Sequence, residues 1–291
     1  MNICMLNSDT CTISGISDFD LTHTFDCGQC FRWIKNEDSS YTGVAYGKAV
    51  RMALFGDTLT IYNTTLEDVN SIWLDYLDLN RDYTKVKAMY KKDKYVSRAM
   101  EFGYGIHILN QEIFECLISF IVSSQNQIPR IKKIVAGLCT MYGKKCTLEG
   151  QTLYTFPTLE DLEGITEEEL APLKAGYRAA YIVDAVNKIS SREVDLDGIK
   201  NMPYKEAKKE LMKIKGIGTK VADCILLFSF GMSEAFPVDV WVQRTMRSLY
   251  LGEDATNKAI ETEAAKLFGK YAGFAQQYLF YYARENGGFS K

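Results

Sequence analysis

A helical pattern ends at Gly216-Ile217-Gly218, and another begins at once with Thr219-Lys220. Two glycines around one aliphatic residue permit a reversal too tight for residues that carry a Cβ. Ile217 can then enter the core while the flanking amides point outward at the start of a helix, where an anion is favoured. Residues 208–239 therefore read as a helix-hairpin-helix that offers its amides to a phosphate. A lysine stands just past the hairpin, and Pro237-Val238-Asp239 follows an apolar run.

Lys220 opens a helix, although cations are favoured at the opposite, negative end of the macrodipole. Burial and the positive dipole end both disfavour an ammonium, so its pKa is expected to fall. At the usual value only about one lysine in a thousand is neutral near pH 7.4, whereas a pKa of roughly 8 makes about a fifth of them nucleophilic amines. Such an amine can form a Schiff base with an aldehydic carbon. The alternative is a solvated or phosphate-contacting lysine in a structural hairpin. Asp239 precedes a helical run and reads as an N-cap. It can also stabilise positive charge on a reacting sugar, and the two roles are compatible. A direct Asp–Lys ion pair would oppose activation of the lysine, so their separation decides.

Composition narrows the class. The chain has 291 residues, 47% of them hydrophobic and 24% charged, as an ordinary globular protein does. A net charge of −3 argues against a protein that coats DNA without sequence preference. Lysines 205, 208, 209, 213, 215 and 220 nevertheless cluster around the hairpin. No membrane-spanning run or signal peptide is evident, so a cytoplasmic protein is expected, or a nuclear one in a eukaryote. Eight cysteines suit a reducing compartment. Cys27-Gly-Gln-Cys30 with Cys4 and Cys11 is a minor zinc alternative. No cysteine follows Cys224, so no four-cysteine iron–sulfur motif follows the hairpin.

Along the chain, residues 10–65 carry strand signals: Val50, Met52, Leu54, Leu59 and Ile61 alternate with other residues around Gly56-Asp57. Phe31 and Trp33 fit another short β-like piece, residues 41–46 a further one, and the first six residues read as mobile. Helical patterns then cover 83–102, 112–123, 129–142, 174–190, 203–214, 220–230, 240–251, 256–268 and 272–284, the second apolar nearly all round. The expectation is an α+β fold with a β-rich domain at 1–95 and a larger helical region at 96–291.

Gly216-Ile-Gly-Thr-Lys220-Val-Ala-Asp-Cys224 with Pro237-Val-Asp239 resembles the helix-hairpin-helix, Gly/Pro-Asp DNA glycosylases. The likeness is to their 8-oxoguanine DNA glycosylase/AP lyase branch. Gly28-Gln-Cys-Phe-Arg-Trp33, residues 115–127, Gly176-Tyr-Arg178 and Tyr271-Ala-Gly-Phe-Ala-Gln276 with Phe280 match in type and order. The missing cysteine cluster sets the chain apart from the iron–sulfur relatives.

The resemblance implies a base-excision repair enzyme acting on double-stranded DNA that contains 8-oxoguanine, with the base flipped out of the stack. Lys220 would be the nucleophile and Asp239 the stabiliser of the sugar. The Gly28 carbonyl would accept the lesion's N7–H, where guanine has only an acceptor. Cys224 and Phe280 would sandwich the base and Gln276 would read its pairing edge. On the opposite strand, Tyr177 would be the wedge, Gln125 would fill the gap, and Arg130 with Arg178 would read the estranged cytosine. Gly216, Ile217 and Gly218 would hold phosphate, and the carbonyls of Met212, Ile214 and Ile217 would bind a monovalent or calcium ion. No cofactor is required, and a monomer is expected. Two departures stand out. A tract of three asparagines becomes Gln125-Asn126-Gln127, and a histidine two residues after the aspartate becomes Trp241. The competing readings are a monofunctional glycosylase using water activated by Asp239 and a non-catalytic DNA-binding module.

Overall fold

The structure, a computed structural model, describes residues 1–289. It is an α+β fold, as the residue patterns imply. Strands β1 (Asn2–Met5), β2 (Thr10–Ser14), β3 (Ile34–Lys35), β4 (Tyr41–Ala45), β5 (Lys48–Phe55) and β6 (Thr58–Tyr62) form one antiparallel sheet in the order β1-β2-β6-β5-β4-β3. The alternation that marked β5 and β6 turns Val50, Met52, Leu59 and Ile61 onto one buried face. Phe25 of helix α1 (Leu21–Asp26) stacks on Trp33 at 4.1 Å and 11° over this face. Trp33 in turn forbids a side chain at Gly43, where an added Cβ would meet its ring.

Two expectations need correcting here. The first residues are ordered as an edge strand, with Ile3 opposite Ile13; Ile3 and Met5 are half-buried against the sheet core while Asn2 and Cys4 are exposed. Phe31 and Trp33 lie outside any strand and enter β3 from a bent segment.

A hairpin of β7 (Lys145–Leu148) and β8 (Gln151–Tyr154) was not anticipated. Its turn residues Glu149 and Gly150 both have positive φ, as a two-residue hairpin turn requires.

The helical part is built on α2 (Tyr83–Tyr90), α3 (Lys94–Phe102), α4 (Ile113–Ser123) and α5 (Ile128–Tyr142), followed by α6 (Arg178–Ser190). Next come α7 (Tyr204–Leu211), α8 (Thr219–Ser229), α9 (Val240–Leu249), α10 (Asn257–Phe268) and α11 (Ala272–Asn286). The single pattern over 83–102 is two helices, because the Asp93 carboxylate caps α3 through the amides of Tyr95 and Val96. Helix α4 is the buried centre, and its Phe120 stacks on Phe228 of α8. Among the described residues no helix is long and apolar enough to cross a membrane. No group of three or more His, Cys, Asp or Glu side chains there could hold a metal, so the cysteines of the zinc alternative do not converge.

Two buried polar devices fix the parts that carry the site. Gln29 is fully buried and satisfied. Its amide donates to the carbonyls of Thr24 and His107, its Oε1 accepts from Leu109, and its own carbonyl accepts from Gln111. This pins the 27–31 segment to the helical part. The second device joins the helices around the hairpin. Lys208 of α7 reaches the buried Asp223 of α8 at 2.7 Å and Glu261 of α10 at 3.3 Å, while the Tyr204 hydroxyl donates to Asp223 at 2.7 Å. Burial still pushes the Asp223 carboxyl up to about 6 despite these partners.

Two measurements follow. Lys208→Met leaves Asp223 buried without its cation and should cost about 3–5 kcal/mol in urea unfolding at neutral pH. Adding Asp223→Asn should recover much of that loss, and strictly additive costs would deny the coupling. His107 is buried, stacks on Tyr83 at 3.8 Å, bonds Leu77's carbonyl through Nδ1, and has its pKa lowered to about 4 by desolvation. Below the ordinary value near 6.5 the unfolded chain is protonated first, so stability present above that pH is lost as pH falls toward 4. The stability advantage of the native chain over His107→Phe should therefore shrink by about 2–3 kcal/mol between pH 7.5 and 4.5. A pH-independent difference would show that His107 is not the group responsible.

Candidate active site

The hairpin forms as its two glycines suggest. Gly216 has a φ of +82°, and a Cβ there would run into the Tyr181 ring. Ile217 is buried, and its N–H donates to the carbonyl of Ile214 at 3.2 Å. Gly218 caps α8 without a side chain, leaving the helix's first amides to face a groove. Met212 exposes its side chain while Ile214 is buried; the carbonyls of Met212, Ile214 and Ile217 belong to this one turn. The carbonyl of Lys213, between them, is taken by Lys188 at 2.6 Å.

Lys220 follows as the second residue of α8, half-buried, with Nζ 5.4 Å from the centre of the Phe120 ring. Asp239 caps α9, accepting from the Val242 N–H at 2.8 Å, as its position implied. Burial pushes the Asp239 carboxyl up, while the Val242 N–H and the charge of Lys220 pull it back. The two side chains influence each other by charge, yet no ion pair joins them among the described residues. Asp239 is therefore committed to the start of α9, and the lysine remains free to reach a third party.

Residues remote in sequence meet beside this pair. Gly28, Lys220, Cys224, Asp239, Gln276 and Phe280 all line one small cavity, floored by Phe120 and Phe228. Cys224, one turn after Lys220, is buried, and desolvation raises its thiol to about 11, so it presents a neutral wall. Gly28 has a φ of +90°; a Cβ would lie 2.9 Å from Arg284 Nη1 and 3.1 Å from the Phe280 ring. Glycine is required here both by conformation and by space. Gln276 is buried, and its Oε1 has no hydrogen-bond partner. The cavity volume is about 50 Å3, against the ~300 Å3 at the lower end of small-molecule pockets. A planar base can enter only if the half-buried Phe280 ring moves away from Gly28.

Three contributors were missed from the sequence. Phe120 was read only as core. Gln277 holds the 27–28 segment by donating to the Cys27 carbonyl at 2.9 Å. Arg284 follows Gln276 and Phe280 at helical i, i+4, i+8 spacing, which was the available signal.

Of the residues assigned to the opposite strand, Gln125 and Tyr177 line a groove of about 770 Å3 that runs from residues 123–126 past Tyr177 and the hairpin to Lys220 and Asp239, and Arg130 and Arg178 do not. Gln125 is exposed at the loop tip with a φ of +46°. Tyr177 is 48% exposed, its ring edge-on to Tyr181 and its hydroxyl 3.3 Å from the Ser124 carbonyl. Arg130 is exposed and donates to the Lys174 carbonyl at 3.1 Å. Arg178 departs from expectation. It is buried, and its guanidinium donates to the carbonyls of Ser124, Gln125 and Ala175. Its donors hold the loop from beneath instead of extending into the groove, because three orphan carbonyls at the ends of short segments need them. Trp241, the second departure, carries the Arg244 guanidinium 5.7 Å over its ring, so positive charge is present in the first turns of α9.

Residues 13–117 match the family model of the 8-oxoguanine DNA glycosylase N-terminal domain. Residues 118–270 match that of the HhH-GPD superfamily of base excision DNA repair proteins. The chain is 31% identical to the N-glycosylase/DNA lyase OGG1 of Arabidopsis thaliana, over 91% of this chain and 77% of that protein. Two solved structures superpose on nearly the whole chain. One, MBOgg1 in complex with a low affinity DNA ligand, has a TM-score of 0.96 and 46% identity, covering 98% of this chain and 99% of that one. The other is the Clostridium acetobutylicum 8-oxoguanine glycosylase/lyase with duplex DNA carrying cytosine opposite the lesion. Its TM-score is 0.95 at 42% identity, covering 99% and 100%. With its sheet and hairpin region both matched, the chain belongs to the HhH-GPD superfamily of base excision DNA repair proteins, among the 8-oxoguanine N-glycosylase/DNA lyases.

Proposed function

We propose that the protein binds duplex DNA through the hairpin and the groove, flips 8-oxoguanine into the cavity beside Lys220, and removes it through a covalent intermediate. The observation that carries this reading is the convergence of Gly28, Lys220, Cys224, Asp239, Gln276 and Phe280, drawn from four separate segments, on one cavity. The Lys220 amine, in its neutral form, bonds to C1′ as the C1′–N9 bond breaks, and the base leaves with the electron pair and takes up a proton. The Asp239 carboxylate offsets the positive charge that develops on the sugar. Ring opening then gives an imine between Nζ and C1′. Loss of a C2′ proton breaks the C3′–O3′ bond and nicks the strand on the 3′ side. The reaction needs no cofactor.

The lesion is chosen by its edges. The Gly28 carbonyl accepts from N7–H, which guanine lacks. The unpartnered Oε1 of Gln276 accepts from the N–H groups of the purine's pairing edge. Cys224 and the displaced Phe280 ring cover the two faces. On the other strand, Tyr177 wedges the opened step and Gln125 fills the gap. Arg130 reads cytosine, whose freed edge offers adjacent acceptors to a residue that only donates. Arg178 supports the loop that presents Gln125. The carbonyls of Met212, Ile214 and Ile217 would hold a cation, which would supply positive charge for a DNA phosphate at the hairpin.

The decisive experiment is borohydride trapping on a duplex with 8-oxoguanine opposite cytosine. A covalent complex is expected for the native chain and none for Lys220→Gln. Trapping that survives the substitution would move the nucleophile elsewhere, and base release without trapping would favour water activated by Asp239. A second measurement addresses Arg130. Single-turnover excision opposite cytosine and opposite adenine should differ in the native chain by the ~1–3 kcal/mol of one well-made base contact. Arg130→Met should flatten that difference, and an unchanged ratio would remove Arg130 from the role.

A further inference from the structure

Helix α11 also places a residue behind the part of the cavity wall that Gly28 and Phe280 form. Arg284 stands one turn beyond Phe280, its guanidinium 5.4 Å from the centre of that ring. Its Nε donates to Glu285 at 2.8 Å, and its Nη2 donates to the Asp26 carbonyl at 2.6 Å. The remaining nitrogen, Nη1, is buried and has no partner. It sits against the side-chain face of Gly28, 2.9 Å from where a Cβ would be, and the Phe280 ring flanks the same point. Its charge is felt by Asp239 and by Cys27, which places it within the electrostatics of the site.

A buried guanidinium nitrogen with no acceptor is costly, and arginine has only donors to offer. What it lacks is an acceptor beside Gly28. The Hoogsteen edge of 8-oxoguanine reads acceptor, donor, acceptor, from O6 through N7–H to the oxygen on C8. With the Gly28 carbonyl engaged by N7–H, a donor alongside it meets the neighbouring oxygen.

Resting on the reading of the cavity as the lesion site, we propose that Arg284 is a specificity-determining residue whose Nη1 donates to the C8 oxygen of the flipped base. Gly28 tests for the proton on N7, and Arg284 tests for the oxygen that defines the lesion. Guanine, with a C–H at that position, leaves Nη1 buried and unpaired. The donor is preorganised, because Asp26 and Glu285 hold the other two nitrogens and the Tyr41 hydroxyl fixes Asp26 through its carboxylate at 2.6 Å.

The test is a cycle between protein and base. Full-length chains carrying Lys220→Gln, with and without Arg284→Met, are titrated with duplexes holding 8-oxoguanine, 8-thioguanine or guanine opposite cytosine. The thio base keeps N7–H but replaces the C8 oxygen by a weak acceptor. Arg284→Met should weaken binding of the 8-oxoguanine duplex about tenfold to a hundredfold and leave the other two within about threefold. Equal weakening of all three overturns the proposal and makes Arg284 a support for the 26–28 segment. Should Arg284→Met not fold, as judged by thermal unfolding, the Lys220→Gln parent alone decides: tighter binding of the oxo than the thio base supports the contact, and equal binding overturns it. A parent that does not prefer 8-oxoguanine to guanine overturns the functional reading itself, and this one with it.

Discussion

The pairing of Lys208 with the fully buried Asp223 is the constraint on which the site depends. It crosses the hairpin, so the two helices that flank Gly216-Ile217-Gly218 cannot rotate independently. Asp223 points into α7 and α10, where Tyr204 and Glu261 complete the cluster. That orientation sends Lys220 and Cys224, one turn apart on a shared face of α8, toward the cavity. Such a pair is weak evidence for stability in general, because desolvation offsets the attraction. Here its value lies in register: a hairpin of small residues has little side-chain packing of its own, and the buried charge fixes what packing does not.

The same division explains what could be read in advance. Gly216 and Asp239 were legible because their chemistry is local: a positive φ favours glycine, and an N-cap favours a short acceptor. Lys220 was legible as an anomaly, a cation at the wrong end of a helix. Arg178 was not, since nothing in Gly-Tyr-Arg says whether a guanidinium faces solvent or the carbonyls of Ser124 and Gln125, which come from a loop over fifty residues earlier. Strand β1 failed for the opposite reason: it is four residues long at a sheet edge, and its alternation rests on Ile3 and Met5 alone, which are only half-buried. Asp93 and Glu149-Gly150 carried cap and turn signals, and both elements follow those signals.

Gly28 shows how a tertiary contact can hide behind a local one. Its positive φ is a local demand that glycine alone meets easily. The space beside it adds a second demand, because an added Cβ would crowd the Arg284 guanidinium and the Phe280 ring. Those partners lie more than 250 residues away, on a helix whose Gln277 also holds the adjoining Cys27 carbonyl. The N-terminal segment and the C-terminal helix thus form one wall of the cavity, and neither end of the chain is sufficient to build it.

That wall concentrates what the fold leaves unsatisfied. Among the described residues three buried side-chain atoms lack a hydrogen-bond partner, and two of them belong to this wall: Gln276 lines the cavity, and Arg284 Nη1 lies against Gly28 behind it. One is an acceptor and the other a donor, so a base held as proposed above would offer a donor to the first and an acceptor to the second. The apolar faces supplied by Cys224 and Phe280 hold any purine, and contacts of that kind separate similar ligands by only about 10–200-fold. Groups built to be paired, and stranded when they are not, separate them by up to about 10⁴–10⁵-fold. On the proposed reading discrimination would reside in these polar groups, whose unpaired state the folded chain carries before any base arrives.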